Sequence, residues 1–113
     1  MPRSGISAGF AACLLAIVAI THPAAAADYV LTIKDHRFTP DTLEIPADTK
    51  VRVLIRNQDA TPEEFDSDDL HREKLVTGGG EGVVFIGPLS PGTYQFMGEF
   101  NSATARGKVI VKP

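Results

Sequence analysis

Four side chains carry most of the chemistry on offer in this sequence of 113 residues: Glu64, Met97, Glu99 and Asn101. Glu64 lies in Thr61-Pro62-Glu63-Glu64-Phe65-Asp66; the other three fall within Gly92-Thr93-Tyr94-Gln95-Phe96-Met97-Gly98-Glu99-Phe100-Asn101. A carboxylate suits iron and Cu(II), a thioether favours Cu(I), and a side-chain amide is a poor copper ligand. If the segments converge, Glu64, Met97 and Glu99 form an exposed site of modest affinity for a copper or iron ion. The same residues also fit a plainer description, in which Glu64 and Glu99 are solvated charges and Met97 fills a gap. His36 and His71 are further nitrogen donors, each read first as a surface or locally hydrogen-bonded side chain.

Catalytic groupings are missing from the sequence. The serines sit in turns without a neighbouring His, so there is no nucleophile with its base. Gly78-Gly79-Gly80 lacks the Lys-Ser or Lys-Thr and the helix of a phosphate loop. An accessory or binding role therefore ranks ahead of an enzyme.

The elements that must position these residues are strands. Short β-rich runs at Tyr29 to Lys34, Thr42 to Ile45, Lys50 to Asn57, Arg72 to Val76, Val83 to Ile86, Thr93 to Gly98 and Lys108 to Lys112 alternate with turn signals, which predicts an all-β fold. In the third run Val51, Val53 and Ile55 alternate with Arg52, Leu54 and Arg56, so one face is buried. Thr39-Pro40-Asp41 and Pro46-Ala47-Asp48 set turns, and Gly78-Gly79-Gly80 breaks pairing between the strands on either side. Pro88-Leu89-Ser90-Pro91-Gly92-Thr93-Tyr94 has the layout of a tyrosine corner, where the phenol ties a strand entry back to the chain. Tyr94 and Phe96 then face the core with Gly98, while Gln95, Met97 and Glu99 face outward.

Composition bounds the rest. Arg3, the apolar run Phe10 to Ile20 and Ala25-Ala26-Ala27 predict a cleaved secretory signal over residues 1–27, leaving a single domain at 28–113. The apolar run is too short for a convincing membrane span, so residues 28–113 are not expected to insert in a membrane and the expected location is periplasmic. Cys13 is the sole cysteine and lies in the leader, so no disulfide is expected. The formal net charge is −3, with acids gathered between Asp59 and Glu73. That balance disfavours nucleic acid, which calls for a basic face, and suits a cation or a basic partner, although such a cluster also serves as an ordinary solvated surface.

The runs Lys34-Asp35-His36-Arg37-Phe38-Thr39-Pro40, Ala60 to Ser67, Arg72-Glu73-Lys74, Gly87 to Tyr94 and Met97-Gly98-Glu99-Phe100 resemble the small periplasmic cupredoxin-like proteins associated with bacterial high-affinity iron permeases, and more distantly the cupredoxin-like domain of EfeO-type iron-uptake proteins. The resemblance spans nearly all of residues 29 to 112. It implies a cupredoxin-like Greek-key β-sandwich of seven to eight strands and a periplasmic part in iron uptake, binding copper or iron and assisting oxidation of ferrous iron. A membrane iron permease or another periplasmic uptake subunit is the implied partner. On the cupredoxin frame Gly98 takes the Cys position, Asn101 the His, Ala105 the Met and Glu64 the loop His. A blue copper centre needs a thiolate and two imidazoles, so none is expected here. The alternative is a metal-free module that docks a permease or another subunit; a ferroxidase enzyme comes third.

Overall fold

The computed structural model describes residues 28–113, and the leader expected over residues 1–27 lies outside them. Nine strands are described: β1 (Tyr29–Lys34), β2 (Arg37–Thr39), β3 (Thr42–Pro46), β4 (Val51–Asn57), β5 (Glu63–Ser67), β6 (Arg72–Val76), β7 (Glu81–Ile86), β8 (Gly92–Gly98) and β9 (Arg106–Lys112). They form two sheets, one ordered β2-β1-β4-β7 and the other β3-β9-β8-β5-β6. The expected all-β sandwich is what the chain forms, with nine strands in place of seven or eight. The additional ones are β2, which has three residues, and β5. Acids are weak strand formers, but strand preference yields to packing, and Phe65 at the centre of β5 is fully buried.

Alternation sets the layers. In β4 the residues Val51, Val53, Ile55 and Asn57 are buried, and those between them reach towards solvent. Leu31 and Ile33 of β1, Leu43 and Ile45 of β3, and Val109 and Val111 of β9 complete the two inner faces. Phe38, Phe65 and Phe96 make a three-ring cluster, with Phe38 edge-on to Phe96 at 5.1 Å and Phe65 5.0 Å from Phe96 between ring centres. Such pairs are worth about 0.5–1.5 kcal/mol each beyond the area they bury.

Two sequence expectations about turns hold. The Tyr94 hydroxyl donates to the Ser90 carbonyl at 2.8 Å, completing the tyrosine corner. Gly78-Gly79-Gly80 lies in the turn that carries the chain from β6, in one sheet, to β7, in the other.

The outward faces differ in charge. Lys34, Arg37, Arg52 and Arg56 project from the β2-β1-β4-β7 sheet, with Arg56 paired to Glu81 at 3.1 Å. Glu64, Asp66 and Glu73 project from neighbouring β5 and β6 of the other sheet. Among the described residues no helix is long and apolar enough to cross a membrane.

Candidate functional site

β5 and β8 bring the candidate residues together. Their antiparallel register sets Phe65 opposite Gly98 and Asp66 opposite Met97. Side chains alternate across a strand, so Phe65 and Gly98 face the core while Asp66 and Met97 face outward. Beyond Gly98 the chain makes a short 3-10 turn at Glu99–Asn101. The loop is closed at its base by the Gly98 amide donating to the Ala105 carbonyl at 2.9 Å, and inside by the Ala105 amide donating to the Asn101 carbonyl at 2.8 Å.

On the outer side, Glu64 meets Glu99. A hydrogen bond that the protonated Glu64 carboxyl donates to Glu99, aided by partial desolvation and by the charges of Glu99, Glu73 and Asp66, pushes Glu64 up to about 7 from its usual 4.5. Like carboxylates at close range cannot both ionise freely, and here the penalty falls on Glu64. Met97 lies on the same face, beside Asp66 and Arg106. It borders a shallow cleft of about 360 Å³ whose lining includes Asp66, Asp68, Asp69 and Arg106. Among the described residues, no three His, Cys, Asp or Glu side chains group closely enough to hold a metal ion.

On the inner side stands Glu63, the residue that sequence reasoning missed. It is 2 % exposed. Its Oε1 accepts the backbone amides of Glu64 at 2.9 Å and Phe100 at 2.8 Å, and its Oε2 accepts the Asn101 side-chain amide at 2.7 Å. Gly98 leaves the room: a Cβ there would stand 2.6 Å from Glu63 Cδ and 2.8 Å from Ala105 Cβ. The signal in the sequence was Phe65, because a buried Phe65 places Glu63, two residues earlier, on the same inward face.

The four predicted residues therefore separate. Glu64 and Glu99 come together, Met97 shares their face one row along, and Asn101 turns inward to Glu63. His36 and His71 are exposed in turns, at φ of 58° and 55°. His36 touches the site loop through its backbone, its carbonyl accepting the Thr104 hydroxyl at 2.6 Å. Its amide and that of Asp35 donate to Asp59, and these bonds, His36 first, hold the Asp59 carboxyl below its usual value.

Residues 7–111 match the cupredoxin-like domain family. The chain belongs to that family. The fold agrees with it: amicyanin from Paracoccus versutus (Thiobacillus versutus) superposes with a TM-score of 0.60 at 20% identity, covering 80% of this chain and 85% of that one. A purple cupredoxin from Nitrosopumilus maritimus gives 0.58 at 21% identity, covering 75% of this chain and all of that one. An uncharacterized protein of Rickettsia prowazekii (strain Madrid E) is 48% identical over 81 residues, 72% of this chain. The match spans 65% of that relative's own length.

Membership of the cupredoxin-like family raises the matter of copper. A type 1 ion takes a thiolate and two imidazoles. Among the described residues there is no Cys to supply a thiolate, and the positions that the sequence resemblance assigns to the Cys, His and Met ligands hold Gly98, Asn101 and Ala105. The space in front of Gly98 is filled by the Glu63 carboxylate, whose oxygens already accept three N–H groups. The residues present do not fit a type 1 copper ion.

Proposed function

We propose that this cupredoxin-like protein is a periplasmic accessory of iron or copper uptake that handles its cargo ion at the outer face of β5 and β8, without a blue copper centre. The feature that supports this reading is the Glu64–Glu99 pair: two carboxyls adjoin at the surface and their mutual influence raises Glu64, with Met97 and Asp66 on the same face. A divalent or trivalent cation that displaces the Glu64 proton relieves the repulsion keeping one carboxyl neutral. Hard oxygen donors suit iron, and the nearby thioether suits Cu(I). With two close carboxylates and no imidazole or thiolate, the ion is held weakly, as suits a carrier that must release it. The partner would be a membrane iron permease or another uptake subunit, in keeping with the resemblance of Ala60 to Ser67 and Met97 to Phe100 to cupredoxin-like proteins associated with such permeases.

Isothermal titration of the full chain with Fe(II) under anaerobic conditions, Fe(III)-citrate and Cu(II) tests the reading. One weak site is expected, accompanied by proton release near pH 7 and lost in Glu64→Gln. No heat with any of the three ions would reject it.

The second reading, a metal-free docking module, draws on Glu63. The place that the family frame gives to a metal holds a satisfied carboxylate, so the fold needs no ion to close its loop. Aerobic ferrous-iron oxidation separates both from an enzyme, since neither predicts turnover.

A further inference from the structure

Glu63 is a buried acid of an unusual sort. Among the described residues the ion pairs are Arg56–Glu81 and Lys112–Glu44, both on the surface, so no cation sits beside Glu63. A buried carboxylate without a counter-ion is costly unless its oxygens are hydrogen-bonded. Here three N–H groups converge on it, from β5 itself, from the 3-10 turn and from the Asn101 side chain, at 2.7 to 2.9 Å. Bonds of this charge-assisted kind are roughly twice as strong as neutral ones. The donors come from segments far apart in sequence, residues 64 and 100–101, so the carboxylate joins the start of β5 to the loop that follows β8. Gly98 and Ala105, both buried, wall the same small space.

We propose that these three donors form an anion site for a small carboxylate, and that its resident ligand is the chain's own Glu63. The site has the opposite sign to the one the family frame would place there: N–H groups point inward at a negative group, where lone pairs would point at a cation. Its work is to pin the β5 start to the 99–105 loop, and it does so whether or not the outer Glu64–Glu99 pair takes up an ion. A cation entering this space would have to break three donor contacts, so metals in solution leave the pin untouched.

Glu63→Ala removes four heavy atoms, Cγ, Cδ and both Oε, which is the heavy-atom frame of acetate. The test is therefore chemical rescue of the full-length chain. In Glu63→Ala the melting temperature should fall by about 10 °C or more, as expected when several charge-assisted bonds leave a domain of this size. Acetate and formate should restore part of the loss with a saturable dependence, at ionic strength matched by chloride. The Phe100 amide and Asn101 side-chain resonances should move back towards their wild-type positions in the same titration. Wild type and Glu63→Gln, whose pockets stay filled, should show no such response. If Glu63→Ala does not fold in buffer, the readout is recovery of the β-sheet circular dichroism signal as acetate is added. Equal effects of acetate and chloride, a melting point unchanged by Glu63→Ala, or no recovery at any acetate concentration would each overturn the proposal.

Discussion

A Cβ atom added to Gly98 would stand 2.6 Å from Cδ of Glu63, closer than two such carbons can approach. The bare backbone of β8 and the long acid of β5 are thus two halves of one packing solution. Lengthening the first requires shortening the second. Gly98→Cys, the change that would supply a thiolate, is expected to destabilise the domain by about 1–3 kcal/mol, the usual cost of overpacking. It should give no intense blue absorption with Cu(II), because Glu63 still fills the space. Glu63→Ala/Gly98→Cys should be more stable than the sum of the single effects predicts, as contacting residues do not behave additively. Denaturant melts of the four proteins in the cycle check this, and strict additivity would contradict it.

The Glu64 carboxyl should titrate near pH 7 and the cause should be Glu99. Because its folded-state value lies above the ordinary 4.5, its contribution to stability is complete below about 4.5 and is lost as pH rises through about 7. Asp59 has the opposite sign: its lowered value stabilises the fold above the ordinary 3.8, and that contribution fades as pH falls through the folded-state value. Carboxyl-carbon NMR titration resolves both. In Glu99→Gln the Glu64 midpoint should drop towards the ordinary range; an unchanged midpoint would remove Glu99 as the cause.

Asn101→His should leave ion binding at the Glu64–Glu99 pair unchanged, because residue 101 faces Glu63 on the other side of β5. Titration of this variant beside the wild type reads it out. A markedly tighter site would mean that the loop turns over to present residue 101 outward.

Tyr94→Phe should keep the fold and lose about 1 kcal/mol, the net worth of one hydrogen bond, since the ring still packs and the hydroxyl donates to Ser90 alone. Phe65→Ala, a fully buried member of the aromatic cluster, should cost about 3–5 kcal/mol. Thermal melts rank the two, and the reverse order would place the core elsewhere.

The tyrosine corner and the inward set Tyr94, Phe96 and Gly98 were legible because turn residues and period-two alternation are local signals. Strand β5 was not. Its five residues carry polar groups on both parities, Glu63 and Ser67 inward and Glu64 and Asp66 outward, so hydrophobic alternation could not fix the register. Two adjacent acids were then indistinguishable by type, and the choice between them rested on an alignment that a single residue of slip reverses. Only the packing of Phe65 against Phe38 and Phe96 decides which acid goes inside. The inward turn of Asn101, away from the other candidate residues, was hidden for a related reason: the 3-10 turn after Gly98 rotates the chain out of the strand's alternation, and nothing in Glu99-Phe100-Asn101 announces that rotation.

The basic outward face of β1, β2 and β4 lies across the sandwich from an acidic patch on β5 and β6, which Arg106, Lys108 and Lys112 of β9 in the same sheet partly offset. A body so charged has a dipole across its layers, and an external field turns it as it diffuses. Towards a negatively charged neighbour it presents the cationic sheet, which leaves the Glu64–Glu99 pair facing the open solution; towards a positive one it presents the pair itself. The sign of the neighbour thereby selects which side of the molecule arrives first, and added salt weakens that selection by screening the long-range part of the torque.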